Sequence, residues 1–586
     1  MASKDSKPHL TKLLRHNNLP SEPELQEAFE LHSKSQEDLL QIDTEIQRLQ
    51  EKRASIQKSI DTCNTILSPA RRLLPDVLCE IFYHCLPDDR NPILSATEAP
   101  MLLTLVCSIW RAVALTSPLI WARLHISLPG NPCFSPSFGT RLSSAAIAKR
   151  YQVFSNVMEL RCLAVKDWLT RAGTCPLSIS LSYPMGFIEV VDNSVNDREA
   201  YDVTEPLFQQ ILSFSQRWKH VELSMPLSIY KKLETLISGD ALPLLNSLRG
   251  NMFWTDMHLE QADPDPVPVR FLEAPNLQRL SLNSPQLSLK IVMFPTIWGQ
   301  LTDLRIQSTI IDVDFFNIIK LCHNLVTCQV DKMQVPWSSP YVPQTEVIIT
   351  TLQMIRLNES GGASHVVQAI NAPNLKSLDY SFPARFSHLG TLMCADKLLA
   401  LVERGVSTLR KLTLEPQNLR PEDTVTCLSL ANEVSHLVLK CPSFTFSALE
   451  DDTLASDVFD LDLLTIPDNT CLSTSRDVLL PKLEVLEMNG IRQFTDEGIL
   501  HLLSSRLDAA RRGDISPLRR LKLQFVRHRQ RDIIEEASEL AKSAGFKLSL
   551  ELDYRLDGLS YGGRLSSSFE ILIRNSDEEA WPPVIN

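Results

Sequence analysis

The residues that come nearest to a nucleophile loop in this chain of 586 residues are Gly361-Gly362-Ala363-Ser364-His365. A serine beside a histidine could do acyl-transfer chemistry, because an imidazole can accept the hydroxyl proton. The segment is not a G-x-S-x-G elbow, and the chain also lacks the G-x-x-x-x-G-K-[ST], G-x-G-x-x-G and H-E-x-x-H patterns. We therefore interpret it as a turn and expect no catalytic residues and no enzyme activity.

Metal and cofactor chemistry also lack a pattern in the sequence. The 13 cysteines include no C-x-x-C pair and the 13 histidines are dispersed, so we predict no metal site, no disulfide framework and no cofactor. Cys79, Cys107 and Cys328 stand in apolar contexts typical of small buried hydrophobes in a reducing compartment. The first residues lack the apolar core of a signal peptide, and we expect a cytoplasmic or nuclear protein or both.

Charge further restricts the partners. The formal net charge is −12 and the sequence pI is near 5.6, so no broad basic field is expected and nucleic acid is excluded as a main partner. One local basic cluster stands near the C-terminus. It is either a solvated face or a site for an acidic or phosphorylated partner, and it consists of Arg506, Arg511, Arg512, Arg519, Arg520, Arg527, Arg529 and Arg531.

Two apolar stretches that follow Ser68 have the spacing of amphipathic helices. Pro75 suits the first turn of a helix, and apolar residues then recur on one face at three- and four-residue intervals. A turn composition at 86–89 separates this helix from a second apolar run at 101–115, which is too short and too polar to span a membrane. Because about 50 residues make a thin core, we expect these helices to bind a partner.

The motifs in these stretches are similar to those of an F-box. Leu74-Pro75 opens the first helix, the second contains Val106-Cys107-Ser108-Ile109-Trp110-Arg111, and Ser117-Pro-Leu-Ile-Trp121 ends it. The loop at 88–100 is longer than the family pattern. The resemblance implies docking onto a Skp-family adaptor and, through it, a cullin. The residues that it suggests for contact with the Skp-family subunit are Leu74, Pro75, Leu78, Ile81, Phe82, Leu105, Val106, Cys107 and Trp110.

A heptad pattern precedes this segment and predicts a coiled-coil helix. Apolar positions alternate in steps of three and four residues, which gives the 3.5-residue period of a coiled-coil seam. Ser21 with Glu24 predicts a capping-box start, and Ser68-Pro69 predicts the end. The seam either pairs with another copy, by self-association through residues 39–67, or folds back within the chain. Its members are Leu39, Ile42, Ile46, Leu49, Arg53, Ile56, Ile60, Cys63 and Leu67.

An internal repeat of the form Leu-x-x-Leu-x-Leu occupies the rest of the chain. Units that start at positions 277, 301, 325, 352 and 375 are 24, 24, 27 and 23 residues apart, within the range of leucine-rich repeats. The last two apolar residues of each unit alternate, so they point to one face of a short strand. Further units start at 218, 409, 434, 458, 483 and 518. The asparagine that usually follows the strand is mostly absent, so we expect an irregular solenoid.

Together these features predict an α/β chain that resembles fungal-type F-box proteins with degenerate leucine-rich repeats. The resemblance implies a substrate-recognition adaptor of an SCF-type ubiquitin ligase, whose repeats bind a protein substrate without nucleic acid or membrane. The alternative is a leucine-rich-repeat scaffold without ligase association. The predicted regions are a disordered N-terminus (1–20), a coiled-coil helix (21–67), a small all-α F-box (68–125), a capped solenoid or horseshoe (126–555) and a C-terminal tail (556–586).

Overall fold

The structure is a computed structural model that divides the chain into two compact units, residues 1–81 and 82–586. This division falls inside the segment predicted as an F-box. Most of the predicted N-terminus and the whole predicted tail lie outside the described residues. The described residues are 19–69, 71–128, 144–183, 196–237, 241–253, 270–284, 295–336, 341–361, 364–381, 396–416, 419–440, 459–466, 478–491, 494–525 and 527–554, with the backbone of residue 70 also described.

The first unit contains the predicted long helix, α1 (Glu22–Leu67, 46 residues). Ser21 precedes it and forms the predicted capping box, in which the Ser21 amide donates to Glu24 Oε2 over 2.8 Å. The helix ends at Leu67 because Pro69 cannot continue the backbone hydrogen-bond pattern. Both predicted helix boundaries are therefore confirmed.

Short helices follow α1, and helices then alternate with strands along the second unit. The predicted helix at 101–115 is divided in two at Cys107, whose backbone is extended. The helices are α2 (Pro75–His84), α3 (Leu103–Val106), α4 (Ser108–Thr116), α5 (Ser144–Arg171), α6 (Asn196–Leu212), α7 (Leu227–Leu236), α8 (Pro295–Gln300), α9 (Asp312–Ile319), α10 (Val366–Ala369), α11 (Asp396–Arg404), α12 (Pro421–Leu430), α13 (Asp496–Arg512) and α14 (Ile534–Ser543).

The strands of the second unit form one parallel sheet of 14 strands, together with a separate small pair. Each strand of the large sheet pairs in parallel with the next large-sheet strand along the chain, so the chain advances across the sheet without reversing its order. The strands are β1 (Arg123–Ser127), β2 (Leu177–Ser182), β3 (Trp218–Pro226), β4 (Ser247–Phe253), β5 (Arg279–Asn283), β6 (Asp303–Ile311), β7 (Thr327–Val335), β8 (Val347–Ile348), β9 (Met354–Gly361), β10 (Ile370–Asn371), β11 (Ser377–Ser381), β12 (Lys411–Leu414), β13 (His436–Lys440), β14 (Val485–Ile491), β15 (Arg520–Phe525) and β16 (Ser549–Tyr554). Strands β8 and β10 form the small pair.

The repeated apolar positions align across the sheet. Leu304 pairs with Cys328, which pairs with Ile355 and then Leu378, and all four side chains are buried. These aligned positions form a row of buried side chains across β6, β7, β9 and β11. This ladder is the physical reason for the apolar repeat, because each side chain packs against its equivalent on the neighbouring strand.

Two parts of the repeat prediction differ from the structure. The unit predicted at 458–463 is not a strand, because Leu461–Leu464 forms a 3-10 helix. Strand β4 was missed because Gly250 replaces the last apolar residue of its unit. A Cβ at Gly250 would lie 3.0 Å from Met252 Cε, so a larger residue would crowd this position. The coarse prediction of an α/β chain with a long N-terminal helix is confirmed.

Asparagine side chains connect successive repeats at their turns. Asn276 donates to the carbonyl of Pro243, and Asn374 donates to the carbonyl of Thr350. Each asparagine directly precedes the first leucine of its unit. Proline precedes each of these asparagines, at Pro275 and Pro373, and the asparagine amide satisfies a backbone carbonyl of the preceding repeat.

Candidate partner-binding surfaces

The short helices at the start of the second unit carry a group of exposed apolar side chains, here called the 102–109 surface. It consists of Leu102, Leu105, Val106 and Ile109, which are 44%, 57%, 54% and 51% exposed. Burying a large aliphatic side chain away from water is favourable by about 0.8 kcal/mol per CH₂ group. Such a cluster on one short segment is therefore a candidate contact surface.

Local hydrogen bonds fix the backbone that presents this surface. Cys107 caps α4, since the Trp110 amide donates to its Sγ over 3.5 Å. Arg111 Nε donates to the Thr104 carbonyl over 2.7 Å and so ties α4 to α3. The surface consequently has a defined geometry before any partner binds, which lowers the entropy lost on association.

Buried residues on the inner side anchor the same helices. Leu103, Val113 and Ala114 are buried, and the Trp110 ring packs on Phe82 with a centroid distance of 5.0 Å. The indole of Trp121 donates to the Ala114 carbonyl over 2.8 Å. The segment therefore has one packed side and one solvent side.

The first unit has its own exposed apolar residues near its C-terminal end. Leu74, Val77 and Ile81 are 67%, 44% and 38% exposed, whereas Leu78 is 1% exposed. Val77 and Ile81 are one helical turn apart in α2, so they share a face.

The predicted site residues fall into two groups in the structure. Leu74, Pro75, Ile81, Leu105, Val106 and Cys107 are exposed, and Trp110 is half-buried. The expected burial is therefore wrong for Cys107 and only partial for Cys79, whereas Cys328 is buried. Leu78 and Phe82 are buried. Their burial does not support the prediction that they contact a partner directly. Sequence reasoning missed Leu102 and Ile109 as contact residues, although their apolar type near the predicted contacts was a usable signal.

The long loop at 88–100 is held in place by its own ion pair. Arg90 Nη2 lies 2.6 Å from Glu98 Oε2, and Glu98 Oε1 accepts from the Ile93 amide over 3.0 Å. The Arg90 guanidinium lowers the pKa of the Glu98 carboxyl. The extra loop length is therefore a structured connection to the sheet, where Ile93 forms a bridge with His125 of β1.

One face of the large sheet carries polar side chains. His125 lies between two hydroxyls, with Nδ1 at 2.8 Å from Ser180 Oγ and Nε2 at 3.1 Å from Ser182 Oγ. Burial lowers the pKa of His125, which favours its neutral form. No carboxylate orients this imidazole by a hydrogen bond among the described residues, so the group resembles a structural network rather than a catalytic triad.

An ion-pair network crosses the middle of the same sheet. Asp379 Oδ2 accepts from Arg356 Nε over 2.8 Å and lies 2.9 Å from Lys440 Nζ. Residues Arg356 and Asp379 occupy paired positions of neighbouring strands. The strand register therefore fixes the relative positions of the polar side chains on this face.

The basic cluster near the C-terminus is largely neutralised within the chain. Arg506 is buried and donates to carbonyl groups, including that of Leu480 over 2.7 Å. The other arginines with acidic neighbours are Arg512, Arg519, Arg520, Arg527, Arg529 and Arg531. Of the two interpretations of this cluster, the exposed ion pairs favour the solvated face over a site for an acidic partner, and Arg506 departs from both because it is buried.

The segment containing Ser364 does not have the geometry of a nucleophile. Ser364 is completely buried, and its Oγ accepts from the Val366 amide over 3.1 Å. Its backbone amide donates to Glu359 Oε2. These contacts support the interpretation as a turn. No group of metal-ligating side chains is found within the described ranges, and no described helix has the length and apolar character of a membrane span.

No family model matches the chain, and no curated protein matches it.

Proposed function

We propose that this protein is a non-catalytic substrate-recognition adaptor of an SCF-type ubiquitin ligase. In this proposal the 102–109 surface binds a Skp-family subunit, and through it a cullin. The observation that carries the proposal is the exposure of Leu105, Val106 and Ile109 on a segment whose inner side is packed. The order of motifs from Leu74-Pro75 to Trp121 supports the same role.

The exposed residues Leu74, Val77 and Ile81 of the first unit serve the same partner in this proposal. Leu78 and Phe82 act as buried supports rather than contacts. A partner that covers these apolar side chains stabilises the complex through the burial of each one. In this proposal a few large residues contribute most of the binding free energy, as in other interfaces.

The repeat region supplies substrate recognition in the proposal. The parallel sheet is interpreted as an irregular leucine-rich-repeat solenoid whose polar face contacts a protein substrate. The side chains on this face are hydrogen-bonded in register, as Arg356 and Asp379 are. Catalysis of ubiquitin transfer then resides in other subunits, and this chain contributes proximity and orientation.

The test is capture of the full chain by an immobilised Skp-family subunit, with quantification of the bound fraction. We expect stoichiometric capture of the native chain and at least a tenfold weaker interaction for Leu105→Asp with Val106→Asp, because two charges would be placed in an apolar contact. The matched control is Leu160→Asp with Leu163→Asp, which are 67% and 62% exposed on α5. The control should bind like the native chain.

Two results would contradict the proposal. If the native chain is not captured, the scaffold role without ligase association becomes the better explanation. If Leu105→Asp with Val106→Asp binds normally, the contact surface lies elsewhere. Thermal unfolding of each variant, followed by circular dichroism, should match that of the native chain, because all four substituted side chains are exposed.

A further inference from the structure

Helix α1 carries an exposed apolar stripe along residues 39–67. None of its 46 residues is buried. A helix in water gains most of its stability from packing an apolar face, so a long helix with an apolar stripe open to solvent needs another surface. The exposed Leu and Ile members of its stripe, here called the α1 seam, are Leu39 (61%), Ile42 (59%), Ile46 (46%), Leu49 (50%), Ile56 (52%), Ile60 (46%) and Leu67 (61%), and Arg53 and Cys63 complete the heptads.

The pattern of the α1 seam fits a second helix of the same kind. The 3.5-residue period keeps the seam on one side along its whole length, which is the condition for knobs-into-holes packing. In heptad terms Leu39, Ile46 and Arg53 occupy a positions, and Ile42 and Leu49 occupy d positions. A second copy of α1 presents a seam of identical length and period.

Charge decides the direction of the second helix. In a parallel pair, Arg53 would face Arg53 of the second copy across the seam. Asp38, at a g position, would face Asp43 of the second copy, at an e position. Both contacts join like charges, so the parallel arrangement is disfavoured.

An antiparallel pair removes these repulsions and replaces them with attractions. When Ile46 lies opposite Leu49 of the second copy, Arg53 lies opposite Ile42 and beside Asp43 of that copy. Two-fold symmetry repeats each contact.

The same register brings a second pair of opposite charges together. Glu45 and Lys52 are both at g positions, and in this register Glu45 faces Lys52 of the second copy. Glu45 also accepts from Arg48 of its own helix over 2.7 Å, so it would bridge the two cations. Residues 28–67 then overlap, which is most of α1.

We propose that the α1 seam binds the α1 seam of a second copy of this chain as an antiparallel coiled coil. This self-association does not depend on the proposed adaptor function, since it uses no residue of the 102–109 surface.

The first experiment measures the molar mass of the full chain by size-exclusion chromatography with light scattering. The expected mass is twice the 66.1 kDa of one chain. Ile46→Asp with Ile56→Asp should halve that mass. The matched control, Gln47→Asp with Ser55→Asp, adds the same charge to exposed neighbours outside the seam and should remain a dimer. A native chain with the molar mass of one copy, 66.1 kDa, would overturn the proposal, whether the seam folds back or stays free.

The second experiment tests direction by crosslinking with a short bismaleimide. Its background contains Cys85→Ser and Cys107→Ser, which remove the other thiols exposed among the described residues, together with serine at Cys133, Cys394, Cys441 and Cys471, which lie outside the described residues. In the proposed register Cys63 lies opposite His32 of the second copy and about 46 Å from the other Cys63, from the helical rise per residue. His32→Cys should therefore give a crosslinked dimer that Cys63→Ser abolishes, whereas Cys63 alone should give none. A dimer crosslinked through Cys63 alone would indicate a parallel pair and overturn the antiparallel arrangement.

Discussion

At the scale of single residues, the buried carboxyl group of Glu359 shows how the sheet controls ionisation. Glu359 lies in β9 with 1% of its surface exposed, and its Oε2 accepts from the Ser364 amide over 3.2 Å. Its Oε1 has no hydrogen-bond partner within the described residues. Burial raises the pKa of Glu359 to about 7, against the opposing effect of hydrogen bonds from Ser364 and Tyr380. The unpartnered oxygen is the natural position for the proton.

This shift makes stability depend on pH in a defined direction. The ordinary pKa is 4.5. Between that value and about 7 the folded chain holds a proton that the unfolded chain has released, so stability is greatest below this window and falls as the pH rises through it. Because Glu359→Gln imitates the protonated carboxyl, we expect the variant to gain up to about 3 kcal/mol over the native chain between pH 5 and pH 8.

The measurement is the thermal unfolding midpoint of both proteins across that pH range. The control is Glu403→Gln, an exposed glutamate on α11. Parallel pH profiles for the native chain and Glu359→Gln would show that the buried carboxyl is not the source of the dependence.

At the scale of elements, Asp496 explains how the last strand is attached. This residue begins α13 and is 1% exposed. It accepts hydrogen bonds from Arg527 Nη2 (2.5 Å), from the amides of Gln530 (2.9 Å) and Arg531 (2.8 Å), and from the Tyr554 hydroxyl (2.9 Å). Burial alone would raise the pKa of Asp496, but these hydrogen bonds outweigh it and lower the pKa. One carboxylate therefore joins a helix, a loop and β16.

We expect Asp496→Ala to destabilise this end of the sheet by about 3–5 kcal/mol, because the Arg527 guanidinium, whose side chain is only 12% exposed, would lose its counter-charge. The measurement is the thermal midpoint, together with limited proteolysis near β16. Asp508→Ala, on the exposed side of the same helix, serves as the control. Equal midpoints for the two variants would mean that the carboxylate contributes little to this attachment.

At the scale of the whole molecule, the order of the large sheet limits how far a local change spreads. Each large-sheet strand pairs only with its neighbours in chain order. Leu412 in β12, for example, is fully buried and pairs with Leu378 and Leu437. Stability in such an arrangement is close to a sum of unit and neighbour contributions.

Leu412→Ala should cost about 2–5 kcal/mol through the cavity it leaves. Hydrogen–deuterium exchange should then accelerate in β11, β12 and β13 while β1 and β2 keep their protection. Lys411→Ala, which changes a partly exposed neighbour, should leave exchange unchanged. A uniform loss of protection across all strands would indicate that the sheet unfolds as one cooperative unit.

The sequence by itself determined the elements whose signals are local. The heptads and the Ser21 capping box predicted α1 and both its ends, because helix caps and periodicity depend on neighbouring residues alone. The Leu-x-x-Leu-x-Leu spacing predicted nearly every strand of the repeats, because each unit must bury the same positions. The spacing did not predict β4, because Gly250 stands where the unit has its last apolar residue, and it wrongly predicted a strand at Leu461–Leu464.

Only the tertiary structure decided which side chains are available to partners. Residues of the same apolar type separated into buried Leu78 and Phe82 and exposed Leu105 and Val106, because exposure depends on packing between distant segments. The tertiary structure likewise places acidic residues beside arginines of the basic cluster, as in the ion pair between Arg527 and Asp496. Periodicity specifies where a side chain points on its own element, whereas its neighbours are set by long-range contacts that a linear pattern does not contain.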